Sequence, residues 1–353
     1  MGRRLLTVAI GLLLAVSVSA EKVDLGNNVD GVNVVVEQSN QERTVVRFDI
    51  GAFDMEAIEI NGETYNLLKI TKEPLWTIEG EPSLPKLCRS IIIPDDARME
   101  INVLKSEYVD FNNTPVAPSK GHLPRTVNPA DVRYTFSDVY SEHTFYPGPI
   151  ADIRDPHILR DYRGTVIELN AFQYNPGTQT LRVYTSVTVE VINVGPGEIN
   201  VLERNKRSEV IVPDFEQIYQ RRFINWEQVS SRYTPVSEFG EILVITYDAF
   251  AADVQPYVDW KMQKGIKTTM VNLSTIGNNA TLIKAFIQAF YDSTNLAFVL
   301  LVGDGPQLTT LTSGGGGADP MYALVAVGDS YPDIFVGRFS AENESEVQTQ
   351  VER

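Results

Sequence analysis

Cysteine and histidine are the side chains that most readily combine into a nucleophile and its activating base, and this sequence has few of either. It carries one cysteine, Cys88, and three histidines, His122, His143 and His157. A lone cysteine cannot close an intrachain disulfide. Cys88 sits in Pro85-Lys86-Leu87-Cys88-Arg89, beside an apolar strand, where a thiol reads as a small core hydrophobe rather than a nucleophile. The histidines are widely separated on different segments, with no metal-ligand spacing, and no site is assigned to them.

The carboxylates offer more. Asp304 follows the apolar run Ala297–Gly303, just past the carboxyl end of a strand, which is the edge where open α/β sheets place their sites. Asp319, Asp329 and Asp333 lie in loops that could return to the same edge. Oxygen donors on irregular loops suit Ca²⁺, so Asp304, Asp319 and Asp329 are candidate metal ligands. The competing reading is a set of solvated turn aspartates in an acidic protein. The run Ser313-Gly314-Gly315-Gly316-Gly317 is followed by Ala318-Asp319-Pro320 and lacks the Gly-Lys-Ser/Thr of a phosphate loop, so it reads as a mobile loop.

Charge narrows the partners. With 30 Lys+Arg against 46 Asp+Glu, the net charge of −16 argues against nucleic acid. Arg3 and Arg4, the apolar stretch Leu5–Val16 and Val18-Ser19-Ala20 form a signal peptide over residues 1–20, with a retained anchor as the alternative. No second run of that length follows, so no membrane span is expected in the mature chain. Export without cysteine pairs points to a bacterial-type periplasm, cell surface or secreted location.

The elements that must position these residues fall into two zones. Residues 21–198 read as an all-β module, sandwich- or barrel-like, with β-branched runs at Val32–Val36, Thr44–Ile50, Ser90–Ile93, Met99–Leu104, Thr165–Leu169 and Leu181–Val191. Tyr174-Asn175-Pro176-Gly177 is a turn signal, predicting that the last two runs pair as a hairpin. Residues 199–232 form a connecting segment with a short amphipathic helix. From 233 onward the rhythm is α/β. Glu241–Thr246, Ile266–Val271 and Ala297–Gly303 are apolar strands, and helices are predicted over 250–264, ended by Gly265, and over 281–291. Such alternation implies a parallel sheet with right-handed crossovers. A further strand is expected at Val325–Val327.

Several of these segments resemble the gingipains, secreted cysteine endopeptidases. Val258-Asp259-Trp260-Lys261, Val299–Asp304, Ala318-Asp319-Pro320-Met321-Tyr322-Ala323 and Gly328–Ser340 are similar to the start of their mature catalytic domain. Gly80–Pro85, Phe145-Tyr146-Pro147-Gly148 and Tyr174-Asn175-Pro176 are similar to their propeptide. The resemblance implies an inhibitory propeptide over 21–198, contacting a caspase-like α/β catalytic domain that begins at Tyr233, with processing between Arg232 and Tyr233. It implies peptide or protein substrates, and a basic propeptide side chain in the active cleft. Arg125, in Pro124-Arg125-Thr126, is the candidate, although an ordinary surface arginine would look the same.

One departure bears on mechanism. The family's catalytic histidine and cysteine lie downstream of the Gly-Arg-Phe-Ser stretch, yet residues 233–353 contain neither residue type. The thiolate–imidazole pair cannot be built from them, so the α/β domain reads as truncated and this chain alone as inactive. The expectation is a secreted zymogen of gingipain type. The alternative is a non-catalytic secreted β module with an α/β scaffold, acting in surface binding or assembly.

Overall fold

The computed structural model describes residues 20–203 apart from residue 28, residues 211–230, and residues 239–353 apart from residue 327. The expected cut between Arg232 and Tyr233 and the leader up to residue 19 lie outside the described residues.

The β zone contains β1 (Glu21–Asp24), β2 (Val32–Ser39), β3 (Arg43–Ile50), β4 (Ala52–Ile60), β5 (Glu63–Lys69), β6 (Leu87–Ile92) and β7 (Ala97–Phe111). After a long irregular excursion come β8 (Ala151–Ile153), β9 (His157–Leu159), β10 (Tyr162–Leu169), β11 (Phe172–Asn175) and β12 (Thr180–Pro196). They form antiparallel sheets ordered β1-β4-β5, β6-β10-β8 with β9 on β10, and β11-β12-β3-β2 with β7 on β12. One core joins the sheets, built from Val46, Phe48, Ile91, Leu169, Phe172 and Val187 among others. This is the expected all-β module.

The predicted hairpin differs in its partner. The Pro176–Gln179 turn joins β11 to β12, with Tyr174 opposite Leu181, while the Thr165–Leu169 run is β10 in another sheet. Asn170 and Ala171 interrupt the strand, and the Asn170 amide group is spent on Pro149 O and Trp76 Nε1, so the chain changes sheets there. The turn signal was sound, but only the short run Phe172–Asn175 is next to it.

The connecting segment folds onto the β module. Helices α1 (Pro213–Arg222) and α2 (Trp226–Ser230) bury Phe215, Tyr219, Phe223 and Trp226 against Ile92, Leu159 and Tyr162. Asn225, fully buried, donates to Ile92 O and Ser39 Oγ and accepts from the Ile92 N–H. Upstream, the buried Arg163 guanidinium donates to the carbonyls of Pro94, Ala97, Ile199 and Asn200, which pins the start of the segment.

The α/β unit runs β13 (Glu241–Thr246), α3 (Ala251–Gln263), β14 (Thr268–Asn272), α4 (Leu273–Ile276), α5 (Ala280–Ser293) and β15 (Leu296–Val302). A small hairpin of β16 (Thr312–Ser313) and β17 (Gly316–Gly317) follows, then β18 (Phe335–Phe339) and α6 (Glu344–Val351). The sheet is wholly parallel, ordered β14-β13-β15-β18. The two central strands, β13 and β15, are nearly continuous apolar runs because both their faces are covered. Gly265, at φ +80°, lets the chain leave α3 in the left-handed region. The glycine run makes the tight β16–β17 turn, with Gly314 and Gly315 both at positive φ.

Residues 325 and 326 do not form the expected strand. Their N–H groups turn inward onto the Asp333 carboxylate. Their carbonyl neighbours are held by α5, with Lys284 Nζ donating to Met321, Tyr322 and Leu324 and Gln288 donating to Val325. A backbone whose polar groups are satisfied by side chains needs no strand partner.

Candidate functional site at the junction of the β module and the α/β unit

The two units meet where the β9–β10 hairpin turns. Leu159 and Tyr162 end and begin its strands, leaving Arg160 and Asp161 as a two-residue loop with Arg160 at φ +49°. Both loop residues are buried, with Arg160 only 3% exposed. Arg160 Nη1 donates to Leu296 O at 2.6 Å and to Asp333 O at 3.0 Å, and Nη2 donates to Asn295 Oδ1 at 3.0 Å. The guanidinium also faces the rings of Phe215 and Tyr291, at 4.8 and 5.7 Å from their centroids. A buried arginine is costly unless paired and hydrogen-bonded, and here it is both. Asp161 Oδ2 lies 3.7 Å from Nε and accepts the Tyr219 hydroxyl at 2.6 Å.

Asp333 receives the hairpin from the other side. Its Oδ1 accepts the Arg160 N–H at 3.0 Å, while Oδ2 accepts the N–H groups of Val325 and Ala326 at 2.9 and 2.7 Å. Burial pushes its carboxyl up to about 6, against the three N–H donors that favour the carboxylate. One step away, Ile158 N–H donates to Asp329 Oδ2 at 2.7 Å, and Asp329 Oδ1 accepts from Tyr331 N–H. His157 stacks on Tyr331 with centroids 3.9 Å apart and faces Phe223 on its other side. Its Nε2 has no hydrogen-bond partner among the described residues, and burial pushes the imidazole down to about 4. At neutral pH His157 is therefore an uncharged ring in an aromatic stack.

Asn295, Leu296 and Asp333 lie at the strand-entry end of the parallel sheet, where β15 begins at Leu296 and β18 follows Asp333. The opposite end holds Asp304. There, Asp304 Oδ1 accepts from Ser340 Oγ at 2.8 Å. Arg338 of β18 binds both oxygens of Asp319 at 2.7 Å and donates to the carbonyls of Gly303 and Leu308. That pairing, with a further bond from Thr310, holds the Asp319 carboxyl below its ordinary range.

The three aspartates expected to share a calcium ion are thus not brought together. Asp304 and Asp319 belong to the strand-exit end, each with its own partner, and Asp329 belongs to the β-module junction. The charge that a cation was expected to neutralise at Asp319 is neutralised by Arg338. Among the described residues no group of three His, Cys, Asp or Glu side chains is disposed to hold a metal ion. Placed apart in this way, Asp304, Asp319 and Asp329 do not form one calcium donor set.

The remaining candidates fall elsewhere. Cys88 lies on β6 opposite Glu168, its thiol 3.9 Å from Glu168 Oε1, and burial pushes it up, away from thiolate. His122 and His143 are exposed. Arg125 is exposed on a turn closed by Val127 N–H to Pro124 O, inside the excursion between β7 and β8. Within the same excursion Lys120 donates to Pro129 O and lies over the Tyr134 ring. Sequence reasoning missed Arg160 and left Asp333 and Arg338 without roles. The only signal was a two-residue Arg-Asp loop between short strands, which normally marks a solvent-exposed turn.

The structure thus docks an all-β module onto a parallel α/β unit through a buried hairpin, and the sequence comparisons place each unit in a family. The family model Propeptide_C25 matches residues 22–231 and Peptidase family C25 matches residues 237–353, so the chain belongs to the gingipain family. It is 34% identical over 341 residues to Gingipain R1 of Porphyromonas gingivalis, covering 95% of this chain and 34% of that protein. To Gingipain R2 of the same species it is 32% identical over 352 residues, covering 98% of this chain and 47% of that protein. The chain therefore spans a third to a half of the length of these relatives. One chain of the complex of Porphyromonas gingivalis RgpB pro- and mature domains superimposes with a TM-score of 0.51 at 31% identity, over 56% of this chain and 97% of that one. The chain carries a gingipain propeptide and the start of a C25 peptidase domain. Among the described residues no helix is long and apolar enough to cross a membrane.

Proposed function

We propose that this chain belongs to an exported zymogen of a gingipain-type cysteine endopeptidase, in which the β module is an inhibitory propeptide and residues 233 onward begin the catalytic domain. The observation that carries this reading is the docked β9–β10 hairpin, whose Arg160 donates through both Nη atoms to groups of the peptidase unit. Residues 1–20 act as the export signal, and processing falls between Arg232 and Tyr233. Arg125, displayed on an exposed turn, enters the active cleft as a substrate-like basic side chain. The cysteine nucleophile and its histidine base are supplied outside residues 233–353, and the substrates are proteins or peptides.

Assaying peptide hydrolysis by the full-length protein before and after propeptide removal tests the reading. Hydrolysis that appears on removal and is blocked by a thiol alkylating agent supports it. A full-length protein without hydrolysis in either state supports the scaffold reading. Amino-terminal sequencing of the mature form is expected to begin at Tyr233.

A further inference from the structure

We propose that Arg160 of the β9–β10 loop is an exosite anchor on the strand-entry edge of the α/β unit, which sets the rate at which the β module leaves that unit once the chain between them is cut, independently of Arg125. This rests on the zymogen reading only in taking the two units as separable by processing.

Three observations carry it. First, the Arg160 guanidinium donates to Asn295, Leu296 and Asp333, all of them in the α/β unit. The recognised chemistry is a guanidinium on a tight turn, received by two backbone carbonyls and an amide oxygen, with the Asp333 carboxylate taking the N–H of the same residue. Second, this socket lies at the amino ends of β15 and β18, whereas open α/β sheets place their chemistry at the carboxyl ends, here the Gly303–Asp304 end. An anchor there leaves the substrate side of the sheet unblocked. Third, the connecting segment is fixed to the β module by Arg163 and Asn225. A cut after Arg232 therefore removes none of the junction, and Phe215, Tyr219 and Leu159 stay packed with Ala297.

Truncating one partner of a buried, hydrogen-bonded charge at an interface acts mainly on the dissociation rate, by between about thirtyfold and a few thousandfold. The experiment uses the full 353-residue chain with a site-specific protease sequence inserted after Arg232. The chain is cut, and the dissociation rate of the two pieces is followed by gel filtration after dilution. Uncut and Arg125→Ala chains report the baseline. The expected result is that wild type and Arg125→Ala co-elute with equal, slow dissociation, while Arg160→Gln separates at least about thirtyfold faster. Asn295→Ala, which removes one acceptor from the α/β side, separates measurably faster and serves where the Arg160 variant does not fold. Dissociation of either folded variant at the wild-type rate overturns the proposal, as does Arg125→Ala separating while Arg160→Gln holds. Peptidase activity of the full-length protein is scored separately, so loss of the zymogen reading and loss of the anchor give different results.

Discussion

Replacing His157 by phenylalanine should change how the stability of this chain responds to acid, and the structure gives the size and sign. His157 and Asp333 lie at the same junction and titrate against each other. Burial lowers the imidazole from 6.5 to about 4, so the folded state resists a proton that the unfolded state accepts. Stability from this group is lost as pH falls through 6.5 toward 4, and at 1.36 kcal/mol per unit the loss reaches about 3 kcal/mol. Asp333 has the opposite sign. Its carboxyl is raised from 3.8 to about 6, so the folded state favours the neutral form. The cost of its charge is fully present above 6 and is relieved as pH falls toward 3.8, again by about 3 kcal/mol. The two contributions nearly cancel over that window in the wild type. Phenylalanine keeps the stack between Tyr331 and Phe223 while removing the proton site, and His157 Nε2 gives up no hydrogen bond in the exchange. Urea unfolding of both chains, stepped from about pH 7 to about pH 4, measures the difference, in which all other titrating groups drop out to first order. The variant should gain about 3 kcal/mol on the wild type across that interval. A difference independent of pH would refute the assignment of a neutral, proton-resistant His157 at the junction.

Asp333→Asn should show the mirror image, losing stability relative to wild type at low pH in the same titration, because the relief on protonation is gone while the acid cost at His157 remains. Arg338→Ala should lower unfolding free energy by about 3–5 kcal/mol, since it leaves Asp319 and the carbonyls of Gly303 and Leu308 unpaired, and urea midpoints report it. Gly164→Ala should cost about 1–3 kcal/mol, because the added Cβ would stand 2.6 Å from the Phe223 ring and 3.0 Å from Ile91 O, forcing the helical layer off β10. The melting temperature of the chain should be the same in millimolar calcium as in excess chelator, because Asp304, Asp319 and Asp329 are held at separate places by protein partners. A calcium-dependent rise would restore the shared site expected from their loop positions.

Much of this molecule was legible from local pattern. Alternation and β-branched runs marked β2, β3, β7 and β12, and continuous apolar runs marked β13 and β15, because strand type follows from which faces are buried. The periodicity and Gly265 placed α3, and the motifs around Gly328–Ser340 pointed to the family. What a sequence cannot carry is which distant groups become neighbours. Arg160 and Asp161 drew no reading from the sequence, and only the docking of the β9–β10 hairpin against Leu296 and Asp333 makes them a buried pair. Asp304, Asp319 and Asp329 read as one cluster because sequence order brackets them. The tertiary fold spends Asp319 on Arg338 at one end of β18 and Asp329 on Ile158 at the other. Residue type and spacing determine which elements form. The partner of each charge depends on long-range packing, because a buried ion is stable only where the whole fold brings it its counter-charge and hydrogen bonds.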